Sequence, residues 1–393
     1  MSLTYDRLIK FDLLEEIEKT AVPEVIMKFF SIRSEIDSID QFIKDSPSYP
    51  GSTDKIMRGE LISVIGATLS IEGTVLDKEE IEESLRKAEL GEALHRKEQE
   101  AANSKKVYSF ISDFVTRHKT GFEYSESLIR QMHTYFTSNM NYLSNSPGQY
   151  RSNFIATFGA PRKKSLCKTQ SEIENAMKNF VIWLNKKNNG ILSHHIFVKA
   201  IMAHYYLSEI HPFGDGNGRT ARALEALILN AHGINDYCFW SLANFWSYNK
   251  DQYITHLHNI RVTLDPTDFI LWGLEGYKEE IKKIKETVLK KVKQLMLSDY
   301  VQYLLRNKKN EAIKINHRIV DVMRILILNG RLPMGKFMES PELRAFYSNS
   351  SPSTRFRDFR KMLDIRLINI RKINDEDFIE PNFKILDYVT YNV

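Results

Sequence analysis

Apolar residues recur at steps of three and four along most of this 393-residue chain, which is the spacing of amphipathic helices. The pattern is clear in DLLEEIEKTAVPEVIMKFFSIRSEIDSIDQFI, in SHHIFVKAIMAHYYLSEI and in SEIENAMKNFVIWLNKK, where Ser171 is expected to open the helix. The segment LRKAELGEALHRKEQEAANSKK is polar, and we interpret it as a lead into a helix near VYSFISDFVTRH. The chain is therefore predicted to be mainly α-helical.

One central segment breaks the helical pattern. NSPGQYRSNFIATFGAPRKK has turn residues at both ends and a β-prone centre at Phe154, Ile155 and Phe158. We expect a β-hairpin, or flap, at this point of the chain.

The C-terminal third has its own order of elements. From Tyr277 to Leu295 an apolar stripe runs through a Lys/Glu-rich segment, which predicts a linker helix over residues 276–300. Three short helices are then expected in NHRIVDVMRILILNG, PMGKFMESPELRAFY and SPSTRFRDFRKMLDIRLI, before a strand pair in NIRKINDEDFIEPNFKIL. This order is typical of a winged helix.

Composition narrows the classes of protein. Hydrophobic residues make up 42% and charged residues 27%, which is ordinary for a globular protein. No apolar run reaches membrane-spanning length, and the N-terminus has no signal-peptide core. With only Cys167 and Cys238, which we expect to be inert, a disulfide framework is excluded and a cytoplasmic setting is expected.

The stretch HPFGDGNGRTAR, residues 211–222, concentrates the candidate chemistry. Gly216, Asn217 and Gly218 precede a helix predicted to start near Arg219, and unpaired N–H groups at a helix start attract anions. Arg219 and Arg222 are three apart, so both guanidinium groups project from one side of the first turn and suit a polyphosphate.

The other polar residues of this stretch complete a reaction centre. Asp215 adds a hard oxygen ligand for Mg²⁺ beside the phosphates, and His211 offers a neutral imidazole as a base. Phe213 is expected to turn inward as the apolar anchor of the loop. A structural glycine turn would explain Gly216 alone, so the set predicts phosphoryl or nucleotidyl transfer.

HPFGDGNGRTAR resembles the signature H-x-F-x-D/E-G-N-G-R-x-x-R of the Fic (Fic/Doc) family, and all eight specified positions match. The resemblance covers about residues 60–275. It implies His211 as the general base and Asp215 as the magnesium ligand. Asn217 and the Gly216–Gly218 amides would contact the α-phosphate region, and Arg219 and Arg222 would contact the β- and γ-phosphates.

The resemblance implies a Fic-type helical bundle with a small β-hairpin flap, followed by the C-terminal winged helix-turn-helix domain. The expected divisions are a helical N-terminal region (residues 1–110), the Fic core (111–275), the linker helix (276–300) and the winged-helix-like domain (301–393). It also implies transfer of AMP from ATP, with Mg²⁺, to a Ser, Thr or Tyr hydroxyl of a target protein. The flap, formed by Phe154, Ile155, Ala156, Thr157 and Phe158, would dock the target backbone as an added strand.

Two variants bear on the reaction. Doc-type kinases resemble this loop but have lysine at the position of Gly218 and lack the last arginine, so AMP transfer is favoured here. Family members often place a tyrosine pair near the nucleotide, whereas this chain has Tyr253 followed by Ile254. Tyr253 is the expected nucleotide contact, and phosphocholine or uridylyl transfer stays open.

The stretch TLSIEG, residues 68–73, resembles the Fic inhibitory motif [S/T]-x-x-x-E-[G/N]. Thr68 and Glu72 are four apart and would share one face of a helix expected over about residues 61–73, ending at Gly73. A carboxylate brought to Arg222 would occupy the arginine needed by the γ-phosphate. Autoinhibition by Glu72 is expected, with self-modification and removal of AMP as further activities.

The last predicted helix carries a basic cluster. Residues 351–372 hold seven Lys/Arg and two Asp, and so match the chain's whole net charge of +5. Arg355, Arg357, Arg360 and Lys361 would face DNA phosphates, with Phe356 and Phe359 on the buried side. A docking or homodimerisation face is the alternative, and a DNA-binding regulator whose Fic domain only senses nucleotide is the competing function.

Three further histidines lie before the loop. His194 and His195 are adjacent and point to different faces, and no ligand set of proper spacing includes His204. We therefore expect no transition-metal site and interpret His204 as a core residue or a support for the site.

Overall fold

The computed structural model describes residues 9–20, 23–45, 52–119, 121–140, 146–152, 157–158, 163–164, 166–186, 195–234, 242–306 and 313–389. The chain divides into two compact units, Met1–Lys285 and Glu286–Val393. None of the described helices combines the length and hydrophobicity needed to cross a membrane.

The first unit is built almost entirely of helices. Those that lie in it, or begin in it, are α1 Leu13–Thr20, α2 Pro23–Asp45, α3 Ser52–Ile71, α4 Lys78–Glu89, α5 Arg96–Arg117, α6 Glu126–Thr137, α7 Gln170–Asn185, α8 Ile196–Ile210, α9 Asn217–Ala231, α10 Ala243–Tyr248, α11 Lys250–Thr263 and α12 Thr267–Arg306. The strands β1 Thr157–Phe158 and β2 Lys163–Lys164 pair antiparallel between α6 and α7, which confirms the predicted hairpin.

Helices α8 and α9 form the centre of this unit. They pack against each other, α3, α5 and α6 pack on α9, and α7 packs on α8. Nearly every residue of both central helices is buried, including His204, Arg222 and Glu225. Buried polar groups are stable only when they are paired, so these three side chains mark where the helices hold polar contacts.

The polar segment after α3 is more ordered than its composition predicts. Residues 85–89 of this segment end α4 and residues 96–106 form the first half of α5, so the interpretation of a simple lead into a later helix was wrong. Asn103 is buried and donates hydrogen bonds to the carbonyls of Phe136, at 3.0 Å, and Ser138, at 2.7 Å. Burial of hydrogen-bonded polar residues is invisible to an apolar periodicity. The boundary expected after residue 110 falls inside α5.

The start of α7 also differs from the prediction. The helix opens at Gln170, and its N-cap is Thr169 rather than Ser171. The Thr169 hydroxyl accepts from the Glu172 amide while the Glu172 carboxylate accepts from the Thr169 amide, which is a reciprocal capping box.

The second unit begins within α12, so the predicted linker is part of a longer continuous helix. It continues with α13 His317–Asn329, β3 Leu332–Pro333, α14 Met334–Glu339, α15 Pro341–Phe346, α16 Pro352–Asp364, β4 Ile368–Ile373, β5 Glu376–Pro381, a 3-10 helix Phe383–Ile385 and α17 Leu386–Val389. The strands form an antiparallel sheet in the order β3-β5-β4.

One predicted helix of the second unit is split in two. The segment 334–346 forms α14 and α15, because Ser340 caps a new helix and Pro341 occupies its first position. The predicted strand pair is confirmed as β4 and β5, joined through Asn374 and Asp375, whose φ angles are 48° and 63°. Left-handed conformations at both positions fit a two-residue hairpin turn.

Candidate active site

The loop between α8 and α9 is closed by Asn217. Its Oδ1 accepts from the Phe213 amide at 2.8 Å, and its Nδ2 donates to the Phe213 carbonyl at 2.9 Å. Gly216 is the N-cap of α9 with a φ of 74°, a conformation that favours glycine. The helix thus starts at Asn217, two residues before the predicted start, and the Asn217 side chain shapes the loop from inside.

Phe213 is buried as expected, but its partner was not foreseen. The ring stacks on His133 of α6 at a centroid distance of 3.7 Å and an interplanar angle of 5°. The Gly148 amide donates to His133 Nδ1 at 2.9 Å, so Nε2 carries the proton and donates to the Asp215 carbonyl at 2.9 Å. No local sequence pattern connects His133 to a loop that lies 82 residues away.

His211 is the residue that ends α8. Its backbone is left-handed, with φ 50° and ψ 57°, and its amide donates to the Leu207 carbonyl. Burial, supported by the positive charge of Arg151, lowers the pKa of His211 to about 4. The imidazole is therefore neutral at pH 7, which is the state that accepts a proton.

Asp215 and Arg219 form an ion pair at the start of α9. The Arg219 Nη2 to Asp215 Oδ2 distance is 3.1 Å, and the Asp215 side chain is 37% exposed. No cluster of three or more His, Cys, Asp or Glu suitable for a metal occurs within the described part of the chain. A metal bound at Asp215 would need its other ligands from a substrate and water, which fits Mg²⁺.

Arg222 is fully buried and is held by the end of α3. Its Nε donates to Thr68 Oγ1 at 2.8 Å, and its Nη2 donates to the Thr68 carbonyl at 3.1 Å and to Glu72 Oε1 at 2.6 Å. Burial alone would raise the pKa of Glu72, but the charges of Arg222 and Arg219 outweigh it and hold the pKa below its usual value. Glu72 is therefore an anion at neutral pH.

Glu72 lies just beyond its helix, since α3 spans Ser52–Ile71 and not the expected 61–73. The Glu72 and Thr74 amides both donate to the Leu69 carbonyl at 3.0 Å, and Gly73 has a φ of 95°. A left-handed glycine after the last turn is a common helix ending. The glycine of TLSIEG thus ends the helix directly after Glu72, whose carboxylate accepts from Arg222 of α9.

The missing side chain at Gly218 leaves the space that the Glu72 carboxylate occupies. A side chain at position 218 would collide with Glu72 Oε1 and would come within 3.1 Å of Arg222 Nη1. The carboxylate therefore lies directly on the backbone of the first turn of α9, where the helix start attracts an anion.

A cavity of about 400 Å³ joins these groups to α11. His211, Gly218, Arg222 and Glu72 line one part, and Tyr253 with its apolar neighbours Ile254 and Leu257 lines another. The structure therefore brings Tyr253, predicted as a nucleotide contact, to the same cavity as the loop.

The Tyr253 hydroxyl is engaged inside the protein. It lies 2.8 Å from His204 Nε2, and His204 Nδ1 lies 2.9 Å from Glu225, which also accepts from Tyr277. His204 is thus a buried support of the cavity wall, as the sequence predicted. The Tyr253 ring, rather than its hydroxyl, is left to face a ligand.

The hairpin is described only in part. Thr157 pairs with Lys164 and Phe158 with Lys163, whereas Phe154, Ile155 and Ala156 lie outside the described residues, as do His194 and Cys238. Cys167 is a buried free thiol.

The basic cluster of the second unit lies on α16. Arg357 and Arg360 are exposed, Arg355 and Lys361 are half-buried, and Phe359 is buried. Phe356 is 71% exposed, so its predicted burial was wrong. The buried Asp358, which bonds Arg318 and Asn316, takes the inward position instead.

Comparison with known proteins connects the loop to a family. A family model described as the Fic/DOC family matches residues 123–229. The protein adenylyltransferase Fic of Aedes aegypti is 47% identical over 57 residues, which are 14% of this chain and 11% of that protein. The protein adenylyltransferase Fic of Nematostella vectensis is 41% identical over 89 residues, which are 22% of this chain and 19% of that protein.

A solved structure shares the fold more widely. The Fic family protein from Desulfovibrio desulfuricans G20 superposes with a TM-score of 0.55 at 18% identity, covering 92% of this chain and 97% of that one. The sequence matches, by contrast, span only 11 to 19% of the length of the two curated relatives.

Proposed function

We propose that this chain transfers AMP from ATP, with Mg²⁺, to a Ser, Thr or Tyr hydroxyl of a target protein, because its residues 123–229 match the Fic/DOC family model. The observation that carries the proposal is the convergence of His211, Gly218 and Arg222 on one cavity beside Asp215 and Arg219. The curated relatives named protein adenylyltransferase support the same reaction.

His211 is the base of the proposed reaction. Its neutral imidazole takes the proton of the target hydroxyl, whose oxygen forms a bond to the α-phosphorus of ATP. The bond from that phosphorus to the bridging oxygen breaks, and pyrophosphate leaves with the electron pair. The proton stays on His211 until solvent removes it.

The start of α9 holds the nucleotide in this proposal. The amides of the Gly216–Gly218 turn face the α-phosphate region, while Arg219 and Arg222 neutralise the β- and γ-phosphates. Asn217 keeps the turn in shape through its two bonds to Phe213. Mg²⁺ bound at Asp215 would supply further positive charge to the phosphates.

Glu72 restrains the reaction. Its carboxylate is bonded to Arg222 and lies on Gly218, so it occupies the place of the terminal phosphate. ATP reaches a productive position only when this carboxylate moves away. The same carboxylate is suited to orient a water molecule, so we include self-modification and removal of AMP in the proposal.

The β1–β2 hairpin is the proposed docking site for the target. Its short antiparallel pairing offers backbone groups to an added strand, which would bring a hydroxyl toward His211.

The test uses the full chain with Glu72→Gly and each of the four labelled nucleoside triphosphates, followed by mass spectrometry of the adducts. We expect transfer of AMP to the chain itself or to added protein, and its loss when His211→Ala is introduced. Absence of transfer from the Glu72→Gly protein with all four nucleotides would instead support the sensor hypothesis, in which the domain binds nucleotide without chemistry.

A further inference from the structure

His211 has a backbone conformation that needs external support. A left-handed conformation is unfavourable for a residue with a side chain, and the amide of His211 is held by the Leu207 carbonyl of the helix. The imidazole is carried by that backbone and also bonds the Ser208 backbone. A residue that holds the His211 carbonyl therefore contributes to the position of the base.

The support comes from Arg151, at the start of the hairpin segment. Arg151 Nε donates to the His211 carbonyl at 2.8 Å, and the Arg151 amide donates to the Pro212 carbonyl at 2.9 Å. Two consecutive carbonyls after α8 are thus bound by one residue. The Arg151 side chain is only 3% exposed, so water does not compete for these bonds.

The same guanidinium reaches the far end of the hairpin segment. Its Nη2 donates to the Cys167 carbonyl at 2.5 Å, and Cys167 is fully buried. Residues 151 and 167 flank β1 and β2 on either side. One planar group therefore closes the neck of the hairpin and holds the base at the same time.

His133 braces the chain on the other side. It links the Gly148 amide to the Asp215 carbonyl, so the segment before the hairpin is attached to the active loop at both ends of the loop. Movement of the hairpin neck would be passed to His211 because Arg151 is bonded directly to the His211 and Pro212 carbonyls.

We propose that Arg151 is a positioning residue that couples the target-binding hairpin to the alignment of His211. The inference rests on the proposed function and names a residue that carries target binding to the reacting centre. Arg151 does not contact substrate in this account. Its positive charge near the imidazole is a second effect of the same contact.

The test compares Arg151→Lys with Arg151→Met in the full chain carrying Glu72→Gly. NMR titration of His211, assigned with His211→Gln, reads the charge effect of Arg151 on the imidazole without ATP or target. We expect Arg151→Met to raise the pKa of His211 by about one unit, because a neighbouring cation is lost, and Arg151→Lys to preserve most of the effect.

Kinetics of label transfer supply the second measurement. We expect Arg151→Met to lower kcat by about 10²-fold through misplacement of the base, with the KM for ATP unchanged, and Arg151→Lys to recover part of kcat. Arg130→Met is the matched control, since Arg130 Nε donates to the Gly148 carbonyl of the same segment, whereas Arg151 Nε donates to the His211 carbonyl.

Three results would overturn the inference. They are an unchanged His211 pKa in Arg151→Met, a loss confined to the KM for ATP, or an equal change of the His211 pKa in Arg130→Met. The titration is independent of catalysis, so a parent protein that transfers no label overturns the proposed function, while the titration still decides whether Arg151 governs the base.

Discussion

Arg222 and Glu72, 150 residues apart in the sequence, meet at 2.6 Å across the start of α9. The arginine side chain is 1% exposed and the glutamate side chain 32% exposed, so the guanidinium is enclosed by the protein while the glutamate lies at the edge of the cavity. In the proposed function, the position of this one side chain decides whether a triphosphate fits.

Glu72→Gln is expected to raise the affinity for ATP about 10-fold, because a charge-assisted bond to Arg222 is replaced by a weaker neutral one. Isothermal titration with Mg²⁺ and ATP measures the change. Glu79→Gln on the exposed face of α4 is the control and is expected to leave the affinity as it is. Equal affinities in all three proteins would contradict the brake.

Gly218→Ala is expected to lower ATP affinity about 10-fold even when Glu72→Gly is present. The added methyl group obstructs the backbone that the phosphates approach, as it would collide with Glu72 in the parent. Gly59→Ala on α3 meets no atom within 4 Å and serves as control. It should leave binding alone and stabilise the protein by roughly 0.5–1 kcal/mol. Normal binding by Gly218→Ala would exclude an anion site there.

The pH dependence of transfer should lack the usual histidine inflection. Since burial and Arg151 lower the pKa of His211 to about 4, the base is neutral throughout the range from about pH 5.5 to pH 8. The profile of kcat/KM for the Glu72→Gly protein is therefore expected to stay flat there, and activity falls only as pH approaches the folded pKa. A half-loss near pH 6.5 would show that the imidazole is solvated.

His195 predicts a pH-dependent stability. It is 2% exposed, neither ring nitrogen has a hydrogen-bond partner among the described residues, and burial lowers its pKa from 6.5 to about 4. As pH falls, His195 is protonated in the unfolded chain near pH 6.5, before it is protonated in the folded protein. The contribution of neutral His195 to the free energy of unfolding is therefore complete above pH 6.5 and decreases as pH falls toward 4.

Through His195, we expect the parent to lose about 2 kcal/mol of unfolding free energy between pH 7 and pH 5, and we expect His195→Leu to lack this loss. Urea unfolding at the two pH values measures the difference, with a substitution at exposed His118 as control. An identical pH dependence in parent and His195→Leu would refute the assignment.

The DNA-binding prediction for the second unit has a direct test. Duplex binding is measured at several salt concentrations for the full chain, for Arg357→Gln with Arg360→Gln, and for Arg324→Gln, a control at an exposed pair with Asp321. If α16 contacts phosphates, the double variant weakens binding and reduces the salt slope by about two. Unchanged binding, or no binding by the parent at low salt, would favour a protein-docking face, which the exposed Phe356 also suits.

A second basic surface of this unit was not singled out in the sequence. A cavity of about 410 Å³ is lined by Arg366, Arg371 and Lys384, which come from the turn after α16, from β4 and from the 3-10 helix. The buried Asn382 joins them by donating to the Arg366 carbonyl and accepting from the Lys384 amide. The charge count over residues 351–372 includes Arg366 and Arg371, but only folding brings Lys384 beside them.

The features that the sequence revealed are those whose residues lie close together along the chain. The loop 211–222 and TLSIEG each carry their chemistry within twelve residues or fewer, and the structure brings both to one cavity. Arg151 and His133 escaped notice because their roles depend on backbone carbonyls and amides, which every residue has. The buried polar face of α5 was not predicted either, because Asn103 is held there by the backbone carbonyls of Phe136 and Ser138.

The ending of α3 has a consequence for regulation. Glu72 hangs from the last turn of that helix, and terminal turns open at far smaller free energy than the core. Ser70, whose hydroxyl lies 2.6 Å from that of Ser247, is one of the anchors of that turn. If Glu72 restrains the proposed reaction, selection can therefore retune the strength of that restraint by altering residues of the turn, leaving the loop 211–222 unchanged.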